Sequence, residues 1–194
     1  LPDIVGDTAL QAYIPSFFRA VDMVVAPSPG VRDILAGYGV DVPIKVIPNG
    51  VDLTRFHKPV EPLSRQEFAF NQEDVVLIYT GRLGPEKNLS FLMRSFAGLI
   101  QAFDHARLLL IGDGPEKENL ESQARYTGVE DKVFFAGMVP YEKIPSYLVM
   151  GDAFVTASVT EVHPLSVIEA MAAGLPVLGI QSPGVGDTVQ DGNT

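Results

Sequence analysis

From Asp74 onward, short apolar runs alternate with longer amphipathic stretches, and this alternation limits the folds open to the chain more than any other feature. Val75–Tyr79 (VVLIY), Arg107–Ile111 (RLLLI), Lys132–Ala136 (KVFFA), Ala153–Ala157 (AFVTA) and Pro176–Ile180 (PVLGI) read as strands. Between them, Leu89, Leu92, Met93, Phe96, Leu99, Ile100 and Phe103 share one helical face. A polar helix follows Pro115 to about Tyr126, a short one spans Tyr141–Met150, and Leu165–Ala173 closes on Gly174. Strands that are apolar throughout, with no polar alternation, must be covered on both faces. The pattern therefore predicts an α/β fold, a Rossmann-like parallel sheet with helices on both faces. Crossovers in such a sheet are right-handed, and ligands sit beyond the carboxyl ends of its strands.

The first 50 residues differ in kind. Asp22–Ala26 reads as a strand, Gly30–Tyr38 as a helix and Pro43–Pro48 as a short extended run. Pro48-Asn49-Gly50-Val51-Asp52 is turn chemistry, and Pro residues recur from Phe56 to Leu63. This predicts the closing elements of an earlier domain in 1–47, a linker in 48–63 and an incomplete second domain in 64–194. Leu1-Pro2-Asp3 shows no initiator Met or leader, and Asp191-Gly192-Asn193-Thr194 is a turn with nothing after it, so the sequence reads as truncated at both ends.

Composition removes several function classes. A net charge of −10 with no basic stripe argues against nucleic acid as a partner. Three His without ligand spacing, and no Cys, give no expected metal site and no thiolate chemistry. No apolar run reaches the roughly 20 residues that span a bilayer. An anionic ligand would have to be held by a few placed cations and by backbone amides.

Two stretches offer those groups. Glu161-Val162-His163-Pro164-Leu165-Ser166-Val167-Ile168-Glu169 follows a buried strand and opens a helix. Pro164 suits the first helical position, and the amides of Leu165, Ser166 and Val167 then make an anion site at the positive end of the helix dipole. Glu169, one turn in, can reach hydroxyls beside that anion, while Glu161 faces the cleft from the strand-end loop. Gly81-Arg82-Leu83-Gly84-Pro85-Glu86-Lys87-Asn88 lies at another strand end, with Arg82 and Lys87 placed to converge on a diphosphate. Taken alone, the first stretch is equally compatible with a buried βα turn carrying two incidental acids, and the second reads more simply as two surface cations near a helix start. Gly112-Asp113-Gly114 lacks the third glycine of a dinucleotide fingerprint, Lys117 standing there, and reads as a turn. Gly184-Val185-Gly186-Asp187 reads as a plain glycine loop and His163 as a loop residue without a chemical role. Tyr13, Phe17 and Phe18 read as core or domain-interface packing.

Taken in order, these pieces resemble the glycosyl transferases group 1 family, retaining enzymes of the two-Rossmann-domain GT-B type. Pro48-Asn49-Gly50-Val51-Asp52…Phe56 is similar to its interdomain linker and Gly81-Arg82-Leu83…Glu86-Lys87-Asn88 to its diphosphate loop. Gly112-Asp113-Gly114-Pro115 and Phe135-Ala136-Gly137 match its later strand ends, and Glu161 with Glu169 its paired glutamates. The resemblance implies sugar transfer from a nucleotide-sugar donor such as UDP-glucose to a sugar or lipid acceptor, with retention of configuration and without a metal. Arg82 and Lys87 would hold the diphosphate beside Gly81, with the amides of Leu165 and Ser166 capping it. Glu169 would bind the ribose, Glu161 the donor sugar, and Met138 with Val139 the base; Glu161, Arg82 and Lys87 would carry catalysis. The sequence departs from the pattern at His163-Pro164, where Pro164 removes an amide donor, and at Asp187, where Glu is common. Ala12–Asp52 is also similar to members that glucosylate diacylglycerol, which implies a cytoplasmic protein with peripheral membrane contact through the missing amino-terminal domain. A nucleotide-binding module without transfer activity and a nucleotide-sugar epimerase of similar architecture are the alternatives.

Overall fold

A computed structural model describes residues 8–57, 59 and 61–192. The readings on 1–3 and on Asn193 and Thr194 lie outside it. Two parallel sheets are present among the described residues. The smaller pairs β1 (Val24–Ala26) with β2 (Ile44–Val46), joined by α2 (Pro29–Gly37) and preceded by α1 (Thr8–Phe18). Ser28 starts α2 by accepting a hydrogen bond from the Val31 amide at 3.2 Å, with Pro29 in the first turn. A short helix, α3 (Leu53–His57), then leads to a 3-10 turn, Arg65–Phe68, closed by a reciprocal Ser64–Glu67 capping box.

The larger sheet holds β3 (Val75–Thr80), β4 (Ala106–Ile111), β5 (Val133–Gly137), β6 (Ala153–Thr156) and β7 (Val177–Gly179), in the order β5-β4-β3-β6-β7 and all parallel. Its connections are α4 (Leu89–Ile100), α5 (Lys117–Thr127), α6 (Ile144–Leu148) and α7 (Leu165–Ala172), with α8 (Pro183–Thr188) after β7. One face of the sheet buries Leu108, Leu110, Tyr79 and Leu83 against Met93, Phe96, Leu120 and Ala124 of α4 and α5. The other buries Val76, Ile78, Leu109, Ile111 and Phe154 against Phe56, Leu148, Val167 and Ala170 of α3, α6 and α7. The nearly continuous apolar strands follow from this two-sided cover.

The chain winds from β3 through β4 to β5, then returns to the opposite side of β3 for β6. The order reverses between β3 and β6, and the loops leaving those strands part there into a crevice. At the opposite end, Arg65 ties strand starts together, donating to Met150 O and Asp74 O at 2.9 Å and to Asp152 Oδ2 at 2.8 Å.

Three local expectations need correction. Tyr13 and Phe17 are 60% and 53% exposed and contact each other in a small surface cluster with Phe18, so of the two settings expected for them the core is ruled out and an interface is left. The glycine run at 184–187 is helical, as part of α8. Pro164 is the residue before the first helical one, not the first of α7 itself.

Candidate functional site

A cavity of about 700 Å³ opens over the carboxyl ends of β3, β4 and β5 and the first turn of α7. It is lined by Thr80, Gly81 and Arg82 at the end of β3, by Ile111 to Gly114 at the end of β4, by Met138, Val139, Tyr141 and Ile144 after β5, and by Ser166 and Glu169 of α7. Of the sequence-predicted residues, Gly81, Arg82, Met138, Val139, Ser166 and Glu169 therefore share one hollow. Lys87 and Glu161 are paired with each other, Lys87 Nζ donating to Glu161 Oε1 at 2.6 Å. Leu165 is exposed and is not among the lining residues.

The loop after β3 is built to hold its cations. Gly81 N donates to Ile111 O and Leu83 N to Asp113 O, both at 2.9 Å, so this loop lies against the one after β4. A Cβ on Gly112, whose φ is +134°, would overlap the Gly81 carbonyl, so only glycine allows that approach. Tyr79 donates its phenol to Arg82 O at 3.0 Å. Burial, with the Glu161 and Glu86 carboxylates adding to it, pushes that phenol far above its ordinary range. Pro85–Lys87 forms a 3-10 turn, and Asn88 follows in the left-handed region, φ 53°, donating its amide to Ala157 O at 3.2 Å. That turn sends Lys87 across the switch point to Glu161, while Arg82 stays at the cavity and pairs with Glu86 at 3.3 Å.

The loop that carries Glu161 is held from several sides. Ser158 and Thr160 donate their hydroxyls to Glu86 O, at 3.4 and 3.2 Å. Asn49 donates its backbone amide to His163 Nδ1 at 3.3 Å and its side chain to His163 O at 3.2 Å. Ser28 donates to Val162 O at 3.4 Å, and Asp187 accepts from the Gly30 amide at 2.9 Å, at the start of α2. Gly184 packs so closely on the Glu161 carbonyl that a side chain there would displace it. His163 and Asp187 thus tie the two sheets together beside the site, a role the sequence did not suggest.

At α7 the amides of Val167 and Ile168 turn back to Pro164 O at 3.1 and 3.2 Å. Val167, expected to face a ligand, is therefore engaged, and Leu165 and Ser166 supply the free amides. Ser166 and Glu169, three apart, share the face toward the cavity. Glu169 is only 6% exposed; burial raises its carboxyl above the ordinary value, and a hydrogen bond with the Tyr141 phenol pulls the other way. Tyr141, also edge-on to Phe56 and under the Arg55 guanidinium, was not singled out by sequence, because nothing local marks it. Thr80 was missed too, although a lone hydroxyl ending an apolar strand before Gly81 is a readable signal. Among the described residues no three His, Cys, Asp or Glu gather as metal ligands, and no helix is long and apolar enough to cross a membrane.

Comparison with known proteins agrees with this fold. The model of the "Glycosyl transferases group 1" family matches residues 60–194, and that of "Glycosyltransferase Family 4" matches residues 6–55. The alpha-monoglucosyldiacylglycerol synthase of Streptococcus pneumoniae is 30% identical over 193 residues, which cover 97% of this chain and 44% of the relative. The chain thus spans somewhat under half the length of that relative. Among solved structures, sucrose-phosphate synthase from Thermosynechococcus elongatus superposes with a TM-score of 0.81 at 24% identity, over 95% of this chain and 47% of that one. Anabaena Alr3699/HepE in complex with UDP and glucose gives 0.79 at 23% identity, over 94% of this chain and 52% of that one. The sheet order, the crevice above it and a family match running from residue 60 to residue 194 lead to one assignment: the chain belongs to the glycosyl transferases group 1 family.

Proposed function

We propose that this chain forms the donor-binding part of a retaining glycosyltransferase, which moves a sugar from a nucleotide-sugar such as UDP-glucose to a sugar or lipid acceptor. The observation that carries the reading is the single cavity that Arg82, Ser166 in the first turn of α7 and the buried Glu169 line together. Its volume of about 700 Å³ suits a nucleotide-sugar. The diphosphate lies between Arg82 and the amides of Leu165 and Ser166, with Lys87 reaching it from its place on Glu161. As the glycosidic bond breaks, negative charge grows on the diphosphate, and cations fixed there favour the transition state over the ground state. Glu169 accepts the ribose hydroxyls, Glu161 contacts the sugar, and Met138 and Val139 lie against the base.

The acceptor reading follows the relatives: two of them are alpha-monoglucosyldiacylglycerol synthases, which favours a lipid acceptor and peripheral contact with a membrane. Residues 1–47 would belong to the acceptor-binding domain, 48–63 to the linker and 64–194 to the donor domain. On this division the 194-residue chain binds donor without transferring sugar. The test is calorimetric titration with UDP, GDP and ADP. One of them binds, and Arg82→Ala weakens it roughly ten- to a hundred-fold, the size of a lost charge-assisted hydrogen bond. If all three fail to bind the unmodified chain, the reading is wrong.

A further inference from the structure

Thr80 ends β3, and its place on the strand decides which face of the sheet its side chain takes. Val76 and Ile78 lie in the core on the α7 side of the sheet, together with Ile111, the cross-strand partner of Thr80. Side chains alternate along a strand, so Thr80 continues that face one step past the core, toward the opening turn of α7. It lines the same cavity as Ser166 and Glu169. It is 5% exposed, and its Oγ1 has no hydrogen-bond partner among the described residues.

Leaving a buried hydroxyl unpaired costs free energy that an apolar side chain of the same shape would not. Among the described residues two other buried side-chain atoms share that status, Asp74 Oδ1 and Gln123 Oε1. Asp74 Oδ1 lies 2.9 Å from the Arg107 guanidinium, and the Gln123 amide donates to Ser90 at 2.7 Å. Neither residue lines the cavity, whereas Thr80 lines it beside Gly81 and Arg82. Other buried hydroxyls near the switch point are paired within the fold: Ser158 with Glu86 O and Ser182 with Ser158 O.

We propose that Thr80 is a further donor-binding residue: its hydroxyl, closed off and unpaired among the described residues, turns about the Cα–Cβ bond to donate to an oxygen of the diphosphate held between Arg82 and the first turn of α7. The inference rests on reading this cavity as a nucleotide-sugar site. A hydroxyl can donate as well as accept, and an anionic oxygen is the strongest acceptor it can meet. The ribose hydroxyls fall to Glu169, one turn farther along α7, which leaves the phosphate as the group nearest Thr80.

Thr80→Val keeps the shape and removes the hydroxyl, and Thr80→Ser keeps the hydroxyl. Each is titrated with whichever of UDP, GDP and ADP binds the unmodified chain most tightly, and with the matching nucleoside by ligand-observed NMR; unfolding midpoints are measured without ligand. Thr80→Val is expected to weaken the diphosphate roughly ten-fold or more, to leave the nucleoside unchanged, and to hold or raise the midpoint. Thr80→Ser is expected to keep most of the affinity. Undiminished diphosphate binding by Thr80→Val overturns the proposal. So does an equal loss for the nucleoside, which places the hydroxyl on the ribose or base. A lowered midpoint also overturns it, because the hydroxyl is then serving the fold. If the unmodified chain binds no nucleoside diphosphate, the donor-site reading itself falls and this proposal with it.

Discussion

Breaking the Lys87–Glu161 pair should cost stability in a way that shows how dry the switch point is. The two side chains are 24% and 17% exposed, and Nζ sits 2.6 Å from Oε1. Fully exposed pairs contribute under about 1 kcal/mol, and removing one partner of a fully buried pair costs about 3–5 kcal/mol. At these exposures an intermediate value, about 1–2 kcal/mol, is expected for Lys87→Met or Glu161→Gln alone. For a chain of this size that lowers the unfolding midpoint by roughly 2–8 °C. The double variant strands no charge, so it should lose much less than the sum of the two, giving a coupling of about 1–2 kcal/mol. Chemical denaturation of all four proteins closes the cycle. Repeating it with saturating nucleoside diphosphate should shrink the coupling, because Lys87 Nζ then has a phosphate to pair with. Single variants that add to within about 0.3 kcal/mol would refute the reasoning, since the pair would then be fully solvated.

Gly112→Ala should lower stability by about 2–4 kcal/mol, because its Cβ overlaps Gly81 O at a φ of +134°, and should weaken nucleotide binding by displacing the loop that carries Arg82; an unchanged unfolding midpoint would contradict it. Glu169→Gln tests the buried carboxyl through pH. A folded-state value raised above the ordinary 4.5 gives stability that is complete below that value and is lost as pH rises through the raised one. The variant should therefore match the parent in acid and become the more stable of the two toward neutral pH, while losing nucleotide affinity; parallel stability profiles across that range would argue against the buried charge.

The strands of the large sheet were readable within a residue or so because burial on both faces leaves an uninterrupted apolar run; β4 is expected from Arg107 and begins at Ala106. Elements that depend on distant partners were not readable. α3 hides in what reads as linker, and its one buried residue, Phe56, docks on a core supplied by Leu148, Phe154 and Val167. α8 contains Gly184 and Gly186, poor helix formers, and is fixed by close packing of Gly184 on the Glu161 backbone and by the buried Val185. At the site, residue types and strand ends pointed to Arg82, Ser166 and Glu169, but no local pattern places Tyr141 against Glu169. The Lys87–Glu161 contact joins loops from two strands that are neighbours only through the reversal of strand order.

The arrangement of charge also bears on how an acidic protein accepts an anion. On the donor reading, a net charge of −10 over these 194 residues supplies no long-range attraction for a diphosphate, so the crevice has to supply it locally. Both loop cations rest on carboxylates, Arg82 on Glu86 and Lys87 on Glu161, which neutralises the crevice and keeps either acid from repelling the ligand. On the donor reading, binding exchanges these internal partners for phosphate oxygens, so part of each new interaction offsets one given up. On that same reading affinity for the donor would be moderate, and Glu161 would be freed toward the sugar only once Lys87 had moved to the phosphate, so the exchange would couple the placing of the acid to the arrival of the diphosphate charge.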